Sequence, residues 1–88
     1  MRKDVDFRHR DRFTELGLTI ASLRKMRGYS QEQLAERAGI SRSFLSTIEA
    51  PNMFSAFSVE TLFNIADALD VRPGDLLNTS LPGSKPKE

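Results

Sequence analysis

Three times in this chain an apolar residue is followed at once by a serine and, four residues later, by a leucine. The three are Tyr29-Ser30 before Leu34, Ile40-Ser41 before Leu45, and Phe57-Ser58 before Leu62. Each reads as the opening of a helix. A serine hydroxyl at the N-cap accepts one of the backbone N–H groups that the first turn leaves without a partner. The apolar residue in front of it can staple to the apolar residue at N4, which fixes the angle of entry. Ser30 also has Gln33 at N3, completing a capping box. Starts this closely spaced limit the two helices between them to short pieces, over about 31–38 and 42–49.

The flanking segments carry helical periodicity as well. Phe13, Leu16, Ile20 and Leu23 recur at three- and four-residue steps and predict an amphipathic helix over about 12–27, which Gly28 can terminate. Gly17 inside it costs ~1 kcal/mol relative to alanine, a cost that close packing would explain. Val59, Leu62, Ile65, Ala66 and Leu69 predict a helix over 59–69, with Asp70 where it should end. Pro73 at N1 predicts a short helix over 73–78. No stretch alternates with period two, so the expected fold is all-α, a five-helix bundle without a sheet. The expected organisation is a charged leader at 1–11, one domain at 12–78 and a disordered tail at 79–88.

Composition narrows the chemistry. Eighty-eight residues, 39% hydrophobic and 28% charged, are those of one small soluble domain. Cysteine is absent and His9 is the single histidine, so thiolate sites, zinc sites and a Ser-His-Asp triad are hard to assemble. No metal, no cofactor and no enzymatic activity are expected. No apolar run reaches the ~18–20 residues of a membrane span and no signal-peptide pattern opens the chain, so a cytoplasmic binding protein is expected. The net charge of +1 conceals an asymmetry: residues 1–27 carry +4 and residues 51–77 carry −3. A basic front and an acidic back fit a protein that turns one face to a polyanion, although small domains often show such imbalances.

Helices of eight residues are marginal alone in water and must be held by packing. Leu34, Ala35, Ala38, Ile40, Leu45 and Ile48 can supply it, with Ala35 small enough for a close crossing. Gly39 can take the left-handed conformation that stops one helix and turns the chain into the next. A short helix, a tight glycine turn and a second short helix make a helix-turn-helix.

Residues 16–77 resemble the phage-repressor-like helix-turn-helix proteins (lambda repressor/Cro, or Xre-type). The resemblance rests on Leu16-Gly17, Ile20, Leu23-Arg24, Arg27-Gly28, Ser30-Gln31, Leu34-Ala35, Gly39-Ile40-Ser41, Leu45-Ser46, Ile48-Glu49, Glu60-Thr61-Leu62, Ile65-Ala66, Leu69 and Val71. It implies that the helix over 42–49 enters the major groove of double-stranded DNA with its N-terminal residues on the base edges. It assigns base reading to Arg42, Ser43 and Thr47. Arg42 is the strongest of these, since a guanidinium can bond a guanine bidentately. Phe44 either lies on a thymine methyl or folds back as satellite core. Gln31 falls where the family's glutamine touches a backbone phosphate and braces the recognition helix, the alternative being a plain first-turn residue. Ser41 and Ser46 fall nearer the phosphates, and Lys25 and Arg27 are either phosphate contacts or solvated. The resemblance pairs Arg24 with Glu49 in a partly buried, structural salt bridge.

One departure follows Glu49. Family members continue with a glycine and basic residues, whereas this chain runs Ala50-Pro51-Asn52-Met53-Phe54-Ser55-Ala56-Phe57 with no Lys or Arg. Asn52 and Ser55 are the polar substitutes, with Asn52 expected at a phosphate. Arg2, Lys3, Arg8, Arg10 and Arg12 could form a basic arm along the DNA, but Asp4, Asp6 and Asp11 interrupt them and favour a solvated, charge-mixed leader. One such unit reads too few base pairs to select a genomic site, so a homodimer on two half-sites is expected. Phe63, Leu76, Leu77 and Leu81 are the expected interface. The resulting expectation is a sequence-specific dimeric transcriptional regulator. The alternative is a protein-interaction module on the same fold, an antitoxin or anti-repressor with a protein partner.

Overall fold

The computed structural model describes residues 8–51, 53 and 55–78. Among them are five helices and no strand: α1 Arg10–Met26, α2 Gln31–Ala38, α3 Arg42–Glu49, α4 Val59–Leu69 and α5 Pro73–Asn78. The all-α expectation and the bounds of the last four helices agree with it. The start of α1 differs, two residues earlier than the apolar pattern places it. The Phe13 N–H donates to the His9 carbonyl at 3.0 Å, and nothing in Arg10-Asp11-Arg12 opposes a helix. Arg10 and Asp11 of the expected leader are therefore already helical, while the expected tail at 79–88 lies outside the described residues.

All three serine starts are made as read. Ser30 Oγ accepts from the Gln33 N–H at 3.0 Å, Ser41 Oγ from Phe44 at 3.0 Å and Ser58 Oγ from Thr61 at 3.1 Å. The Gln33 side chain returns the bond to the Ser30 N–H at 2.9 Å, closing the capping box. Tyr29, Ile40 and Phe57, the residues before these serines, pack partly buried against the core.

The stops share a device too. At the end of α2 the Ile40 N–H reaches the Ala35 carbonyl and the Gly39 N–H the Glu36 carbonyl, with Gly39 at φ 71°. This crossed pair is the Schellman arrangement, which needs a left-handed residue. It recurs around Gly28 after α1 and around Asp70 after α4. Asp70, at φ 63°, is the one described non-glycine residue with positive φ. α3 stops differently: Ala50 is extended ahead of Pro51, whose ring disfavours helical backbone in the residue before it.

The core is one cluster drawn from all five helices: Ile20 from α1, Leu34, Ala35 and Ala38 from α2, Leu45 and Ile48 from α3, Leu62, Ile65, Ala66 and Leu69 from α4, and Leu76 from α5. α2 packs on α3 and α4, and α1 crosses α3 while touching α4 and α5. Val59 departs from its expected place on the apolar stripe. As the first residue of α4 it is exposed. Gly17 lies where α1 crosses α3, and a Cβ there would meet the backbone carbonyl oxygen of Ile48. Its cost in helix propensity thus serves the close approach of the two backbones.

Candidate nucleic-acid interface

The inner face of α3 is committed to the fold: Leu45 and Ile48 are core, and Glu49 is buried. Its outer face begins with the exposed Arg42 and Ser43 and continues with the half-buried Ser46 and Thr47. These are the polar residues expected to meet a ligand, and the structure brings them onto one surface of an eight-residue helix. The Thr47 hydroxyl donates to the Ser43 carbonyl at 3.1 Å, which leaves its oxygen as an acceptor and its methyl as an apolar contact. The Ser41 hydroxyl is held by its capping bond to Phe44. Phe44 takes the second of the two places open to it in the sequence, half-buried against the core cluster.

Behind this face lies a polar network. Arg24 on α1 grips Glu49 through two nitrogens, Nε to Oε2 at 2.9 Å and Nη2 to Oε1 at 3.0 Å. The remaining terminal nitrogen, Nη1, donates to the Tyr29 carbonyl at 2.8 Å. The side chains are 11% and 4% exposed, so the pair is buried nearly dry, as expected of a structural ion pair. The Gln31 amide then donates to Glu49 Oε1 at 3.0 Å. Three segments meet at one carboxylate, α1, the N-terminus of α2 and the last residue of α3, and Arg24 ties the turn after α1 to them through the Tyr29 carbonyl. The resemblance implies that Gln31 braces the recognition helix, but Glu49 as its partner was not legible in the sequence, because eighteen residues separate them and no periodicity couples them.

The remaining cations divide. Lys25 is exposed near the end of α1. The Arg27 Nε donates to the Leu69 carbonyl at 2.8 Å, capping the end of α4 next to Asp70. Arg37 lies over the Tyr29 ring, 4.6 Å from its centroid, a cation–π contact the sequence reading did not single out. Arg72 pairs loosely with Asp75 at 3.9 Å on the open surface. At the other end of α1, the Phe13 ring meets Phe57 edge to face with centroids 5.4 Å apart, which fastens the head of α1 to the segment before α4.

Of the residues expected at a dimer interface, Phe63 and Leu77 are exposed, at 47% and 62%. Leu76 is corrected: it is 2% exposed, filling the protein's own core from α5, and has no surface to offer a second chain. Asn52 and Leu81 lie outside the described residues. Among the described residues no group of His, Cys, Asp and Glu could hold a metal ion, and no helix is long and apolar enough to cross a membrane.

Comparison with known proteins gives a consistent picture. The helix-turn-helix family HTH_3 matches residues 20–76. The HTH-type transcriptional regulator SinR of Bacillus licheniformis is 41% identical over 63 residues, which is 72% of this chain and 56% of that protein. SinR of Bacillus subtilis is 40% identical over the same length. The chain thus spans a little over half the length of these curated relatives. Among solved structures, SinR in complex with DNA superposes with TM-score 0.66 at 40% identity, over 72% of this chain and 98% of that one. The restriction-modification controller protein C.AhdI of Aeromonas hydrophila superposes with TM-score 0.68 at 31% identity, over 73% and 94% of the two chains.

Proposed function

This chain belongs to the helix-turn-helix family, and from that premise we propose that it binds double-stranded DNA sequence-specifically, as a dimeric transcriptional regulator of the repressor or controller type. The observation that carries the reading is the outer face of α3. It presents one exposed guanidinium and small hydroxyl groups, with no carboxylate, at the end of a helix whose other face is locked into the core. In the major groove Arg42, Ser43 and Thr47 read base edges, and Ser41, Ser46, Gln31 and Lys25 meet phosphates. Arg27 is left to its structural bond with Leu69. Half-sites about one helical turn apart, each read by one protomer, provide the specificity that a single α3 lacks. Relatives described as HTH-type transcriptional regulators, and a relative solved on DNA, support this reading. It requires no cofactor and no catalytic activity, and it places the protein with the DNA in the cytoplasm.

Selection from a random duplex library with purified protein at physiological salt tests it. An enriched motif of two half-sites is the expected outcome. An unenriched pool from folded protein would reject sequence-specific reading. With about 6–8 phosphates neutralised per dimer, log K should also fall against log salt with a slope of about −5 to −7.

A second reading, a protein-interaction module on the same fold, draws on the absence of Lys and Arg from residues 50–58 and on the exposed Met53. SinR has also been solved in complex with the SinI protein. An unenriched pool would favour this reading.

A further inference from the structure

Glu49 ends α3 with its side chain turned away from the outer face, yet one of its oxygens holds the amide of Gln31. An ionised carboxylate only accepts hydrogen bonds, so whatever faces it must be a donor. A glutamine amide has two distinguishable ends, and next to Glu49 the nitrogen end is selected. Arg24 fixes the carboxylate in turn from the opposite side, through Nε and Nη2. The Gln31 amide nitrogen therefore keeps one N–H on Glu49, and among the described residues its second N–H meets no acceptor. Gln31 is half-buried, so this second N–H lies at the edge of the molecule, at the first residue of α2 where the unpaired backbone N–H groups of the helix also gather.

From this arrangement we propose that Glu49, held by Arg24, is a positioning residue for DNA binding: it fixes the orientation of the Gln31 amide so that a donor, and not the amide oxygen, is offered to a phosphate. The proposal rests on the DNA-binding reading above and adds a role for a residue that touches no nucleotide. Free to rotate, the amide would present oxygen to the phosphate in part of the population, and two acceptors facing each other repel. A preset donor removes that cost at the moment of binding, as preorganisation does generally. The same carboxylate is the last residue of α3, so the phosphate contact and the base-reading helix share one anchor. A shift of α3 relative to the N-terminus of α2 would be felt at both.

The test uses the full chain and the duplex recovered by library selection, with single methylphosphonates replacing each phosphate of one half-site in turn. For the wild type, several positions should show penalties, and the one that Gln31 meets should weaken binding by about tenfold, in keeping with a hydrogen bond to a charged group. Gln31→Ala should abolish the penalty at that position alone. Glu49→Gln, which leaves Gln31 in place, should reduce it to about twofold or less while the penalties at other positions persist. An unchanged penalty in Glu49→Gln would overturn the proposal, as would a Gln31→Ala variant whose methylphosphonate profile matches the wild type. A duplex that shows penalties elsewhere but none linked to Gln31 leaves DNA binding intact and rejects the positioning role. Failure to recover any duplex rejects the underlying reading itself. Should Glu49→Gln not fold, the side-chain amide protons of Gln31 in the wild-type protein give the answer by NMR. One slowly exchanging proton, shifted downfield of its value in free glutamine, is expected in free protein, and a pair with the shifts and rapid exchange of free glutamine would overturn the proposal.

Discussion

Gly17 sits beneath the backbone carbonyl of Ile48, so α1 and α3 cross with no side chain between them. The crossing brings Arg24, two turns further along α1, against Glu49 at the end of α3. Contact between these helices sets the position of the outer face of α3, and a glycine makes it possible.

Gly17→Ala should therefore lower stability although alanine is the better helix former. The added methyl meets backbone, which cannot rotate away, and overpacking at the upper end of the usual range, about 3 kcal/mol, leaves a net loss of about 2 kcal/mol after the propensity gain of ~1 kcal/mol. Thermal unfolding should show Tm lower by about 10 °C or more for a domain of this size. A raised Tm would mean that α1 and α3 do not approach so closely.

The buried Arg24–Glu49 pair should behave asymmetrically on mutation. Glu49→Leu alone strands a guanidinium at a cost of about 3–5 kcal/mol, whereas Arg24→Met combined with Glu49→Leu should return most of that loss. Chemical denaturation of the two single variants and the double variant checks it. Additive losses would count against a coupled pair.

Asp70 closes α4 in the left-handed conformation, where a β-carbon is unfavourable, and places a negative charge at the negative end of the helix. Asp70→Gly should stabilise by about 0.5–1 kcal/mol, raising Tm by about 3–6 °C. Gly39→Ala, at the corresponding position after α2, should do the reverse by about 1 kcal/mol. Calorimetry of the two variants reads both signs.

On DNA, Arg42→Ala and Lys25→Ala should fail in different ways. Loss of a base-reading guanidinium relaxes preference at one position of each half-site, by about 1–3 kcal/mol. Loss of a phosphate-contacting lysine weakens all sequences alike and flattens the salt slope by about 1 per protomer. Competition binding against single-base variants, repeated over a range of salt, separates the two.

Adjacent leucines on α5 should also part. Leu76→Ala opens the core and should cost about 2–5 kcal/mol. Leu77→Ser and Phe63→Ser change exposed side chains and should stay within about 0.5 kcal/mol of the wild type. If these two residues form the dimer contact, their substitution should raise the dissociation constant measured by analytical ultracentrifugation with Tm of the monomer unchanged.

The helices themselves were legible in the sequence because their boundaries are local. A serine hydroxyl caps the backbone three residues ahead of it, a glycine turns where it stands, and a proline acts on the residue before it. Ser30, Ser41, Ser58, Gly39 and Pro73 accordingly mark their helix ends without help from distant residues. The core stripes followed from periodicity, and so did the polar outer face of α3. Local periodicity failed at the edges of the stripes. Val59 keeps the apolar spacing but begins its helix outside the packed layer, and Leu76 and Leu77 are chemically identical neighbours on α5, one buried and one exposed. Which of two leucines is buried depends on where α1 and α4 lie, and no local pattern encodes that. The same holds for the bond from Gln31 to Glu49, the grip of Arg27 on the Leu69 carbonyl and the Phe13–Phe57 contact, each of which joins residues far apart in the chain. The sequence by itself determined where the helices start and stop and which face of each is apolar. Only the tertiary structure decided which polar groups are spent holding helices together and which remain for a ligand, because a hydrogen bond between distant residues exists only once packing has brought them within reach.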